Sequence, residues 1–166
     1  GKYRLNHSTI SNFWSAGIRQ FPSILFNNFY IDSNDNEFIN NLFDIDITNS
    51  IIDGNQNIEF LIEKLGDNDL DYKLTNSLIK FNDINGFFEN NPIYDFSNNQ
   101  YFENLFQNLS PGFIDAFENN LRINQNSEVI GLGSLEFANQ SPYDIMNNNR
   151  TESPDLGAYQ HVIVED

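Results

Sequence analysis

Three aspartates, Asp44, Asp46 and Asp53, sit on or beside one short segment, followed by Asp69, Asp71 and Asp83, with Lys64, Lys73 and Lys80 as the nearby bases. Carboxylate oxygens of this kind hold a hard cation such as calcium, and a lysine beside them can take a proton from substrate. Asp44, Asp46 and Asp71 as metal cluster, with Lys73 or Lys80 as base, form the catalytic set that the sequence offers. The competing reading is solvated side chains, because 24 acidic against 8 basic residues, a net charge of −16, scatter carboxylates over any fold. Asp67, Asp69 and Asp71 have the first, third and fifth spacing of a calcium loop. Tyr72 at the sixth place and Leu78 at the twelfth exclude an EF-hand. That loop, or Asp32 to Glu37, is a candidate for a weak calcium site; otherwise both are polar turns. Calcium is the one cofactor these residues suggest.

Other chemistries find less support. The chain has no cysteine, which removes disulfides, thiolate catalysis and cysteine zinc sites together. Gly131-Leu-Gly133 lacks the third glycine of a dinucleotide loop. His161 stands near the chain end, and Ser8, Ser50 and Ser77 recur at equivalent places, which points to stacking instead of nucleophilic attack. Phe13, Trp14, Phe29 and Tyr30 are candidates for an aromatic sugar platform, with core packing as the alternative. So acidic a chain repels a phosphate backbone, so nucleic acid is excluded as a partner. No apolar run approaches the roughly 18 to 20 residues of a membrane-spanning helix.

The elements that must position these residues show as a repeated phrase. His7-Ser8-Thr9-Ile10, Asn49-Ser50-Ile51-Ile52 and Asn76-Ser77-Leu78-Ile79 recur at spacings of 42 and 27 residues, the last two preceded by Thr48 and Thr75. From Phe43 to Thr48 apolar and polar residues alternate, which places Phe43, Ile45 and Ile47 on one face of a half-buried strand and Asp44, Asp46 and Thr48 on the other. Each phrase reads as strand, corner, strand, with His7, Asn49 and Asn76 as a stacked structural ladder. Asparagine tolerates the left-handed region that a corner needs, and its amide can both donate and accept along a stack. The sequence holds 29 asparagines, 19 isoleucines and 16 phenylalanines, the last two suited to filling an interior. Only Gln56 to Leu65 and Asn99 to Leu109 have helical spacing, and both also fit strands.

Beyond Ser110, prolines and glycines break the chain into short phrases: Ser110-Pro-Gly-Phe-Ile-Asp115, Asn120-Leu-Arg-Ile-Asn124, Ser127-Glu-Val-Ile-Gly-Leu-Gly133, Asp144-Ile145, Asn149-Arg-Thr151 and Pro154-Asp-Leu-Gly-Ala-Tyr-Gln160. In order and spacing this block resembles the end of bacterial right-handed parallel β-helix proteins with a C-terminal choice-of-anchor Q domain, of the pectate-lyase-like superfamily. Ser110, Glu128 and Gln160 depart from the usual aspartate, proline and glutamate of that pattern.

The resemblance implies an all-β right-handed parallel β-helix, with coils over residues 1–109 and a closing segment of the same domain over 110–166. It implies a bacterial cell-surface or extracellular location, a glycan or envelope protein as partner, membership of an outer-membrane assembly, and export or lipid signals and further coils before Gly1. Physically, the closing block is expected to plug an open solenoid end. Arg150, Asp155, Gly157 and Tyr159 are its cap residues, and Arg150 and Asp155 are expected either to pair or to stand as two solvated charges. The leading functional expectation is a non-catalytic binding scaffold. The alternative, a calcium-dependent polysaccharide lyase or hydrolase, follows from the enzymes that share such folds.

Overall fold

A computed structural model describes residues 1–67 and 70–162, and the chain is nearly all β, with parallel sheets. The strands in chain order begin with β1 (Tyr3–Asn6), β2 (Thr9–Asn12) and β3 (Ile24–Asn27), then a hairpin of β4 (Phe29–Ile31) and β5 (Glu37–Ile39). Next come β6 (Leu42–Thr48), β7 (Ile51–Gly54) and β8 (Phe60–Glu63), followed by β9 (Leu70–Thr75), β10 (Leu78–Ile79), β11 (Phe102–Glu103) and β12 (Phe106–Gln107). A first parallel sheet runs β1-β6-β9-β11, a second runs β2-β7-β10-β12, and β3 pairs in parallel with β8. The two segments with helical spacing are β8, β11 and β12, because their apolar residues pack into sheets.

One core lies between the three sheets. Ile45, Ile47, Tyr72 and Leu74 enter it from the first sheet, Ile52 and Ile79 from the second, and Phe60 and Ile62 from β8. The residues between them, Arg4, Asp46 and Lys73, are in register on the outer face of the first sheet. The expected alternation over 43–48 breaks at Asp44, whose φ of 63° belongs to a bulge between Leu42 and Ile45. The side chain of Phe43 lies outside the described residues.

The corners between first and second sheets are built alike. His7, Asn49, Asn76 and Asn104 have φ of 47°, 46°, 46° and 50°, the left-handed region that asparagine enters most cheaply among residues with a Cβ. Ser50 Oγ accepts from Ser8 N (3.0 Å) and donates to the Thr48 carbonyl (2.8 Å); Ser77 Oγ accepts from Ser50 N (3.1 Å) and donates to the Thr75 carbonyl (3.0 Å). The serines thus satisfy amides that a tight corner would leave without partners.

Residues 81–101 take the place of a strand beside β8. Phe81, Phe88, Tyr94 and Phe96 pack ring against ring, and the Tyr94 hydroxyl accepts from Ile62 N (2.9 Å) and donates to Ile62 O (2.8 Å). Asn108 does the same for Phe81, accepting from its N–H (2.9 Å) and donating to its carbonyl (3.0 Å). Two side chains therefore close backbone edges that would otherwise be open.

The tail holds the antiparallel pair β13 (Phe113–Asp115) and β14 (Asn120–Ile123) and the single helical turn α1 (Leu135–Ala138). Its packing corrects the expected plug. Ile123, Val129, Leu132 and Leu156 lie against Ile51, Leu78 and Phe106, the outward residues of the second sheet. The tail is strapped along the flank of the stacked strands, and the rings of 81–101 join the interior core instead.

Candidate functional site

The acids proposed for calcium are not gathered. Asp44 pairs with Lys2 (3.0 Å), Asp46 lies 3.6 Å from Arg4, and Lys73 pairs with Glu103 (2.6 Å), all on the first sheet. Asp71 is exposed, and Lys80 stands on the second sheet, away from that set. Among the described residues no group of three His, Cys, Asp or Glu is placed to hold a metal ion. In the proposed loop Asp67 is exposed and Asp69 lies outside the described residues. In the other, Asp32 accepts from the side-chain amide of Asn36 (3.0 Å) and from the backbone N–H groups of Asn36 (3.0 Å) and Asn34 (2.8 Å) and so closes the β4–β5 turn; these bonds, the side-chain one foremost, hold its carboxyl below the usual range. Asp83 accepts from Phe87 N and Phe88 N, and Lys64 is exposed.

Of the three ladder residues, Asn49 bonds both His7 and the tail, and Asn76 reaches the tail alone. Ser134 N donates to Asn49 Oδ1 (2.8 Å) and Asn49 Nδ2 donates to Ser134 O (2.9 Å), which fixes the orientation of the amide. The other Nδ2 hydrogen then points to His7 Nε2 at 2.8 Å, so Nε2 accepts and the imidazole is neutral. His7 is 6% exposed; burial, then the nearby Arg150, lower its pKa to about 4 against the favourable backbone of Gly157 and Asp155. Asn76 Nδ2 reaches Leu132 O at 3.5 Å.

Arg150 and Asp155 do not form the expected ion pair, and neither is solvated. Arg150 is 3% exposed and donates to the carbonyls of Gly157 (3.1 Å) and Ala158 (3.4 Å). Asp155 accepts from Gly131 N (2.8 Å) and His161 N (2.6 Å), and burial raises its pKa despite those bonds. Gly157, at φ 86°, donates its N–H to Asn49 O (2.8 Å), and a Cβ there would collide with Thr9 and Ile51. Tyr159 is half-buried. Asp144 takes four bonds, from Met146 N, Asn148 N, Asn148 Nδ2 and Gln160 N. Burial works against its charge, but these bonds prevail and hold its pKa low.

What the tail leaves bare is a groove. Along each strand of the second sheet it covers Thr9, Ile51, Leu78 and Phe106; two residues further on, Ser11, Asp53, Lys80 and Asn108 continue the outer face. Phe13, Asp53, Lys80, Asn82, Asn108 and Glu128 line a groove of about 560 Å³ there. Lys80 Nζ donates to Gly54 O and lies 3.9 Å from Asp53 Oδ1. Burial raises the pKa of Asp53, and the Gly54 N–H and Lys80 offset part of that. The Phe13 ring is braced edge-on by Phe113 (6.2 Å) and Phe117 (5.4 Å). The expected aromatic platform is divided, since Tyr30 stacks on Phe38 at 4.7 Å in the β4–β5 hairpin.

Behind the groove a buried ion pair fixes the loop that carries Phe13 and Trp14. Glu59 is fully buried and accepts from Arg19 through both oxygens, from Ser23 N (2.8 Å), Ser23 Oγ (2.8 Å) and Gln56 N (2.7 Å). Asn55 Nδ2 donates to Trp14 O (2.7 Å), and Gly54 leaves the room that the Glu59 carboxylate occupies. Neither Glu59 nor Arg19 stood out in the sequence. The available signal was one acid inside the apolar run Ile58 to Ile62. Asn82, Asn108 and Glu128 had no signal, because only the packing of the tail brings them to one place.

No protein-family model, curated protein or solved structure matches the chain.

Proposed function

We propose that the chain is a non-catalytic binding module, the last coils of a right-handed parallel β-helix whose tail straps the coils together and leaves one flank free for a ligand. The helix reading is supported by four passes that run from the first parallel sheet to the second, the first two going on to the parallel pair β3-β8, and by four corners with a residue in the left-handed region, His7, Asn49, Asn76 and Asn104. The binding reading rests on one observation: a groove of about 560 Å³ with a braced ring, a buried carboxylate and an ammonium, held by a loop that Glu59 and Arg19 pin. Rigid walls lower the ordering cost of binding. A bacterial cell-surface or extracellular location, with a glycan or envelope protein as ligand and a place in an outer-membrane assembly, follows from the resemblance of residues 110–160. Among the described residues no helix is long and apolar enough to cross a membrane.

A hydrolase is the second reading, because burial raises Asp53 in the direction a general acid needs, with Glu128 lining the same groove. A calcium-dependent lyase on Asp44, Asp46 and Asp71 draws no such support. A glycan array and an envelope pull-down, each followed by chain-length analysis of the sugars, separate the readings. The binding module retains a ligand and leaves its length unchanged. Shortened chains with the native protein, absent with Asp53→Asn, would establish the hydrolase instead.

A further inference from the structure

The geometry points to an uncharged polysaccharide as the ligand of the groove between Phe13 and Glu128, its sugar ring lying on Phe13 and its hydroxyls bonded to Asp53, Lys80 and Glu128. This inference rests on the binding-module reading and specifies its ligand. A pyranose presents an apolar face of C–H groups and a rim of hydroxyls that each donate and accept, so its site needs a ring beside mixed acceptors and donors. The groove has that composition. Phe13 is held in T-shaped contact with Phe113 and Phe117. Asp53 and the Glu128 oxygen not taken by Ser110 N supply acceptors and Lys80 supplies donors, while Asn108 spends its amide on Phe81 and serves as wall.

Charge narrows the class. Two carboxylates face one ammonium in the groove, Lys80 already donates to Gly54 O, and the chain as a whole carries −16. Uronate or sulfated chains would meet a net negative groove whose one ammonium, among the described lining residues, is already engaged by Gly54 O and Asp53. The volume lies within the roughly 300–1,000 Å³ of small-ligand sites, enough for a short stretch of a longer chain.

The test titrates the protein with cellohexaose, xylohexaose, mannohexaose, maltohexaose and the fully N-acetylated chitohexaose, and with hexagalacturonate as anionic control, by calorimetry. At least one uncharged hexamer is expected to bind with a Kd below about 1 mM, and hexagalacturonate at least tenfold more weakly. Phe13→Ala and Lys80→Ala are each expected to weaken binding tenfold or more. Lys80→Ala leaves the Phe13 packing untouched and so keeps the test valid if Phe13→Ala loosens the tail. No binding by any uncharged hexamer at 5 mM, equal binding of hexagalacturonate, or indifference to both variants would overturn the inference while leaving a protein-binding module standing. Shortened hexamers in the same mixtures would instead overturn the non-catalytic reading.

Discussion

The corner at His7 makes the joint between tail and strands sensitive to acid. Its imidazole is neutral in the folded chain, accepts from an amide that Ser134 holds in place, and has Arg150 for a neighbour. A proton on Nε2 would set donor against donor and a second cation against a buried guanidinium. The folded pKa of about 4 lies below the 6.5 of the free side chain. The unfolded chain therefore takes up the proton first, and stability is full above 6.5 and drains away as pH falls toward 4. Between pH 7.5 and 5.0 that linkage amounts to about 2 kcal/mol. Both values avoid the neighbourhood of the isoelectric point near 4.1, where a chain without net charge associates. The control is His7→Asn, which suits the left-handed backbone as Asn49 and Asn76 do but does not titrate. Urea unfolding of both proteins at the two pH values is expected to show the native chain losing about 2 kcal/mol more than the variant. Equal losses, or a larger loss in His7→Asn, would refute the role assigned to the imidazole.

Glu59→Ala leaves Arg19 buried without its carboxylate and is expected to cost about 3–5 kcal/mol in urea unfolding, with protease cleavage appearing first in the 13–23 loop. Tyr94→Phe removes the hydroxyl that serves both backbone groups of Ile62, for an expected loss of about 1–3 kcal/mol and faster amide exchange at Ile62. Gly157→Ala forces a side chain into Thr9 and Ile51 at φ 86°; limited proteolysis should release the tail while the far-ultraviolet spectrum of the strands is kept.

The strands were readable where one face alone is buried. In β6, Ile45 and Ile47 carry the alternation, and the bulge at Asp44 was hidden because bulges depend on the neighbouring strand. The corner phrase was readable at His7, Asn49 and Asn76. The fourth corner, Asn104-Leu105-Phe106, escaped notice because leucine stands where the other three have serine. The path of the tail was foreshadowed by Ile51-Ile52 and Leu78-Ile79: adjacent apolar residues in a strand mean that both faces are covered, one by the core and one by something else. An isolated solvated tail or a plug over an end leaves Ile51 and Leu78 without partners. The groove followed from none of this, since one wall is the outer face of the second sheet at Asp53 and Lys80 and the other is the tail at Ser110, Pro111 and Glu128, which only the folded chain brings together. Arg150 and Asp155 show the limit of pairing by charge alone: in a buried turn, backbone carbonyls and amides answered each of them first.

The parallel register beneath all of these assignments can be tested covalently, because the chain has no cysteine to interfere. Asp46 and Lys73 are register partners on the outer face of the first sheet. Neighbouring strands are about 4.8 Å apart, within the span of a disulfide. Asp46→Cys with Lys73→Cys should oxidise to a single intramolecular disulfide under native conditions, seen by mass spectrometry of the peptides. Asp46→Cys with Asp71→Cys, offset by two residues along the strand, should remain reduced. Equal oxidation of both pairs, or of the offset pair alone, would contradict the register and with it the flank on which the groove is built.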